Sequence, residues 1–187
     1  MVAIPVQKVS NGMKLTFKDD VWNIVEFHHI KPGKGGAFVR IKIKSMTTGK
    51  VLEETFSASE KVEQTEVSYR KMSYLYHDGQ DYVFMDAGTY EQLPLNEKLV
   101  GDASKFLMEN MDVTVMFWVD RVIGVELPTK IDQKVTETIN ADRGNSATNI
   151  TKDATVESGA IVQVPLFVNT GDMIRIDTRD GSYESRV

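Results

Sequence analysis

An all-β fold built from small barrels is what this sequence predicts, on three observations. Runs rich in β-branched and aromatic residues recur along the chain, turn signals separate them at roughly 8–12-residue spacing, and one stretch alone has helical periodicity. From Lys14 to about Val62, five or so strands are divided by Lys18-Asp19-Asp20, the segment 31–37, Thr47-Thr48-Gly49-Lys50 and Ser57-Ala58-Ser59. The second divider lies between Val21-Trp22-Asn23-Ile24-Val25-Glu26-Phe27 and Phe38-Val39-Arg40-Ile41-Lys42-Ile43-Lys44. A hairpin tipped by Lys31-Pro32-Gly33-Lys34-Gly35-Gly36-Ala37 follows. Its proline sets the entry, and its glycines permit positive φ and a close approach of backbone to whatever the tip meets.

A second unit begins near Glu66. The run Val67 to Tyr76 turns at His77-Asp78-Gly79 into Gln80 to Met85, and Asp-Gly is a strong hairpin signal. The one helical pattern spans Asn96 to Asn110, with Leu99, Val100, Ala103, Phe106 and Leu107 at helical spacing and Asn96 as N-cap. Asp112 to Leu127 returns to strand, and Pro128, which cannot continue a ladder, marks a boundary. The third unit holds strands at 134–139, 159–167, 172–178 and 182–187, with a polar loop from Asn140 to Thr151 and a second Asp-Gly turn at Asp180-Gly181. This too is a small-barrel pattern.

The chain has 187 residues, 41% hydrophobic and 26% charged, the composition of a soluble globular protein. No stretch approaches the roughly 20 apolar residues of a membrane span. The N-terminus lacks the layout of a signal peptide, so the expected location is cytoplasmic. Zero cysteines exclude disulfides, thiolate metal sites and a cysteine nucleophile. The net charge of −5 argues against a general nucleic-acid binder. Charge is unevenly spread, however. Lys31, Lys34, Arg40, Lys42 and Lys44 make the first hairpin basic, whereas the second half is predominantly acidic. One basic finger on an acidic body, and a plain acidic protein, both fit that distribution.

The chemistry-bearing motifs are few. His28 and His29 are adjacent, so on a strand they face opposite ways and cannot chelate one ion together. No serine sits in a Gly-x-Ser-x-Gly elbow. Gly33-Lys34-Gly35 lacks the hydroxyl of a phosphate loop and leads into a strand where such a loop would open a helix. An exposed tip offers no desolvation to lower a lysine's pKa for Schiff-base work, so Lys34 is a reaching cation. Arg40, Lys42 and Lys44 fall on one strand face, where they either line phosphates or form a solvated barrel surface. Tyr69, Tyr74, Tyr76 and Tyr82 fit base stacking or a core and rim role.

Three ordered stretches together resemble the bacterial elongation factor P family. One is the tip from Lys31 to Phe38 with Thr48-Gly49 and Thr55-Phe56. A second is Ser73-Tyr74-Leu75-Tyr76-His77-Asp78-Gly79 with Tyr82, Phe84, Met85 and Tyr90-Glu91-Gln92-Leu93. The third is Lys152, Ala154, Gly159, Val162, Val164, Pro165, Val168 and Gly171, at the spacings of the family's C-terminal signature. The resemblance covers nearly the whole chain. It implies an SH3-like (KOW-like) barrel over 1–65 and two OB-fold barrels over 66–128 and 129–187, in an L-shaped, tRNA-like arrangement.

The same resemblance implies a non-enzymatic, monomeric, cofactor-free translation factor bound to the ribosome between the peptidyl and exit sites. It would stimulate peptide-bond formation and relieve stalling at consecutive prolines. Lys34 would be the working tip and the target of a modifying enzyme, with Pro32, Gly33, Gly35 and Gly36 as its support, and peptidyl-tRNA as its partner. Lys31, Arg40, Lys42, Lys44, Tyr183 and Arg186 become RNA or ribosome contacts. The family's Gly-Asp-Thr loop, which approaches mRNA, corresponds to Gly144-Asn145-Ser146, with a carboxylate lost. The related eukaryotic and archaeal factor has two domains, so the third barrel points to the bacterial type. A paralogous RNA-binding adaptor without peptide-bond activity is the alternative, and an enzyme using Lys34 stands third.

Overall fold

The computed structural model describes residues 1–31, 33, 35–139 and 151–187, whose regular structure is β-strand interrupted by short helical turns. The first sheet comprises β1 (Val2–Pro5), β2 (Lys14–Phe17), β3 (Asp20–Ile30), β4 (Phe38–Ser45), β5 (Val51–Ser57) and β6 (Lys61–Gln64), in the order β1-β6-β2-β3-β4-β5. Alternation in β4 decides its faces: Val39, Ile41 and Ile43 are buried, and Arg40, Lys42 and Lys44 are exposed. The inward residues pack with Val6, Leu15, Trp22 and Ile24. The Trp22 indole N–H donates to the Phe17 carbonyl at 2.7 Å, so the buried ring keeps its polar atom satisfied. Asp20 closes the far end of β4 by accepting from the Ser45 hydroxyl at 2.7 Å and the Thr47 hydroxyl at 2.8 Å.

The second sheet comprises β7 (Val67–His77), β8 (Asp81–Asp86), β9 (Gln92–Asn96), β10 (Asp112–Trp118) and β11 (Arg121–Glu126), in the order β11-β10-β7-β8-β9. The expected hairpin at Asp78-Gly79 is present. One Asp78 carboxylate oxygen accepts from the Gln80 and Asp81 amides at 2.9 and 2.8 Å, which lowers its pKa. The expected helix is shorter than its pattern. Only Glu97–Val100 (α1) is α-helical, followed by a 3₁₀ segment, Gly101–Phe106. Asn96 caps as expected, accepting from the Leu99 amide at 3.1 Å. Gly101, at φ 57° and ψ −140°, then takes a conformation from which no α-helix continues.

The third sheet comprises β12 (Lys130–Thr138), β13 (Thr151–Val156), β14 (Ile161–Pro165), β15 (Met173–Asp177) and β16 (Ser182–Arg186), in the order β14-β13-β12-β15-β16. The second Asp-Gly turn joins β15 to β16 as read. With barrel-like sheets throughout, the fold is all-β in three β-domains.

Two compact units make up the chain, Met1–Tyr69 with Met116–Gly124, and Arg70–Val115 with Val125–Val187. In the first, Met116, Trp118 and Ile123 close a second apolar cluster around the fully buried Val21, and the Trp118 indole donates to the Thr65 hydroxyl at 2.9 Å. In the second, Phe106 lies in one core with Val135, Val156, Val164 and Ile174. No described helix is long and apolar enough to cross a membrane.

Candidate functional site: the lysine-tipped hairpin and its basic strand

Two long strands carry the tip. β3 and β4 pair antiparallel from Trp22↔Ser45 to Ile30↔Phe38, with a bulge between Ile24 and Glu26. The core runs up to Val39, one residue from the end of this ladder, and β5 braces it from the other side through Phe38↔Ser57. The Ala58 amide donates to the Ala37 carbonyl at 2.9 Å, and the Gln7 side-chain amide donates to the Ala58 carbonyl at 3.0 Å. These bonds tie the base of the tip to the N-terminal turn. The same residues, with His29, Ile30, Lys31, Phe38 and Val39, line a groove of about 360 Å³.

Within the tip, Pro32 and Lys34 lie outside the described residues. Gly35 has φ 118°, where a side chain is strained. A Cβ added at Gly33 or Gly36 meets no described atom within 4 Å. Packing against the described parts of the molecule therefore does not ask for glycine at 33 or 36. Close approach of an external surface would.

Arg40, Lys42 and Lys44 stand on one exposed face, but that face is not purely basic. Cross-strand register sets Lys42 between Glu26 and Glu53, Arg40 between His28 and Thr55, and Lys44 between Asn23 and Val51. The Arg40 guanidinium pairs with Glu53 at 3.3 Å, and Glu26 takes the His28 ring nitrogen at 2.9 Å. Lys42 is thus flanked by carboxylates on both neighbouring strands. His29 turns away, its ring edge-on to Phe27 at 5.4 Å. Among the described residues, no three histidine, aspartate or glutamate side chains gather as a metal site.

The third sheet holds the remaining expected contacts. Gly144, Asn145 and Ser146 lie outside the described residues. Tyr183 is half-buried and packs on the third core. Arg186 is exposed, 3.6 Å from an Asp172 carboxylate oxygen and 5.8 Å from the centre of the Phe167 ring. Phe167, itself 58% exposed, is a surface aromatic that the sequence placed only inside a strand-like run. Lys152 was legible only as part of a motif. It is 5% exposed and donates to the Ile139 carbonyl at 2.7 Å.

The tyrosines divide between core and surface. Tyr74 is buried, and burial first, then the neighbouring Tyr82, pushes its phenol pKa up. Tyr76 and Tyr69 are exposed, while Tyr82 is half-buried against His77 at 4.4 Å.

Comparison with known proteins covers nearly the whole chain. The elongation factor P KOW-like domain matches residues 6–62, the elongation factor P OB domain 67–125, and the elongation factor P C-terminal domain 131–186. Elongation factor P of Corynebacterium kroppenstedtii is 52% identical over 177 residues, 95% of each chain. That of Mycobacterium avium is 51% identical over the same shares. Among solved structures, eukaryotic translation initiation factor 5A from Methanococcus jannaschii matches with a TM-score of 0.54 at 25% identity, covering 66% of this chain and 93% of its own.

Proposed function

The chain belongs to the elongation factor P family and is a translation elongation factor; from that premise we propose that it binds the ribosome between the peptidyl and exit sites and sets Lys34 beside the acceptor end of the peptidyl-tRNA. It does so as a cytoplasmic monomer with three domains, 1–65, 66–128 and 129–187. The benefit falls on consecutive prolines, whose ring-fixed backbone makes them poor reactants. Holding the tRNA end in reactive geometry removes part of the entropic barrier, and the ribosome itself performs the chemistry.

The observation that carries this reading is the segment that joins β3 to β4: in sequence it sets a lysine between glycines, Cβ positions at 33 and 36 meet no described atom, and the two strands that flank it are paired along their length. A modifying enzyme extends Lys34 by a covalent group. Lys31, Arg40, Lys42 and Lys44 supply phosphate contacts near the tip, and Gly144-Asn145-Ser146 with Tyr183 and Arg186 face mRNA and the small-subunit side.

Reconstituted translation of a tri-proline template tests the proposal. Lys34→Ala should keep the fold, since position 34 falls between β3 and β4 and outside their paired residues, where a substitution changes stability within about 0.5 kcal/mol, and should lose relief of stalling. Full relief by this variant would sink the reading. Intact mass of the native protein would show the adduct.

A further inference from the structure

Gln133 is fully buried, at 0% exposure, in a strand where alternation calls for an apolar side chain. Its neighbours on the inward face of β12, Ile131 and Val135, are apolar core residues. The Gln133 amide nitrogen donates to the Phe106 carbonyl at 3.0 Å. Its oxygen accepts from the Ser158 hydroxyl at 2.8 Å. One side chain therefore joins three pieces of chain: β12, the turn after β13, and the end of the 3₁₀ segment that belongs to the second β-domain. The Phe106 ring is 7% exposed inside the third domain's core. All of this lies within one compact unit.

The two contacts differ in kind. Apolar burial of Phe106 is strong but non-directional, and a ring can rotate or slide in an apolar pocket at small cost. Hydrogen bonds to a buried amide are directional, and a missed one leaves a desolvated carbonyl behind. We propose that Gln133 is a positioning residue of this factor: it fixes the orientation of the third β-domain on the second, while Phe106 supplies the cohesion. The link to activity rests on the function proposed above, in which the third domain contacts the ribosome while Lys34 meets the peptidyl-tRNA.

The chain has no cysteine, so spin labels at Ala87→Cys and Thr170→Cys, both exposed and one in each of these two domains, are the sole probes in the full-length protein. Pulsed electron–electron distance measurement should give a narrow distribution in the parent and one at least twice as broad with Gln133→Met, which keeps the volume and removes the bonds. Relief of tri-proline stalling should fall several-fold with Lys34 intact. An unchanged width overturns the proposal, even if thermal stability drops, because that is the signature of a merely structural residue. Broadening without loss of relief overturns the positioning role.

Should Gln133→Met fail to fold, Ser158→Ala, which removes the hydroxyl's bond to the Gln133 oxygen and leaves the longer one from the Ser158 amide at 3.4 Å, decides: about 1.5-fold broadening supports the proposal and none overturns it. Failure of the parent protein to relieve stalling would count against the function proposed above and leave the distance result standing.

Discussion

Glu53 is the residue that changes the meaning of the basic strand. It pairs with Arg40 and stands beside Lys42 in register, so two of the three exposed cations of β4 have a carboxylate neighbour before any RNA arrives. Each cation that reaches a phosphate contributes about −0.7 to −0.9 to the slope of log K against log salt. Glu53→Gln should therefore tighten ribosome binding at low salt and make the slope steeper by about that amount, as Arg40 is released. Ribosome pelleting across a salt series is the check, and an unchanged slope would mean that Arg40 never touches phosphate. The outward alternation of Arg40, Lys42 and Lys44 was legible in the sequence because period two survives any pairing. Their carboxylate partners were not, because Glu26 and Glu53 come from other strands and the bulge after Ile24 shifts the register.

The hairpin from β15 to β16 shows how a turn read correctly still hides its electrostatics. The Arg179 side chain donates to Asp177 from Nε at 2.9 Å, and the Arg179 amide adds a bond at 3.0 Å. Together they hold the Asp177 carboxyl down at about 2, against an ordinary value of 3.8. A depressed carboxylate stabilises the fold above its unfolded pKa, and that contribution disappears as pH falls through the folded one. The window here runs from about pH 4 down to about pH 2. Arg179→Ala should move the Asp177 midpoint up toward the ordinary range and shift acid unfolding of the third sheet to higher pH. Carbon-detected NMR titration of the Asp177 carboxyl would show it, and a midpoint still near 2 would mean that the backbone amide alone sets it.

The pattern at 96–110 failed in the opposite direction. Its cap and most of its apolar positions are correct, with Val100, Phe106 and Leu107 buried. Glycine at 101 turned one helix into a short helix and a 3₁₀ segment. Periodicity reports which side is buried, not which helix buries it.

At the scale of the whole molecule, family resemblance anticipated three β-domains, but the way they share apolar surface was not legible. The middle sheet contributes Met116, Trp118 and Ile123 to the cluster around Val21, and the 3₁₀ segment contributes Phe106 to the third core. Both are long-range choices that no local spacing encodes. They bear on a natural experiment, removal of everything from Pro128 onward. The fragment 1–127 keeps all of the first unit, which holds both tryptophans, Trp22 and Trp118. It loses the core that covers Phe106, Met111 and Leu127. Uncovering a large apolar side chain forfeits roughly 1.5–3 kcal/mol each, so the second sheet should loosen while the first unit stays intact. Tryptophan emission of the fragment should match the full chain, whereas amide protection across β7, β8 and β9 falls and a hydrophobic dye binds. Full protection of those strands in the fragment would show that Phe106 needs no third domain, and that the second β-domain stands by itself.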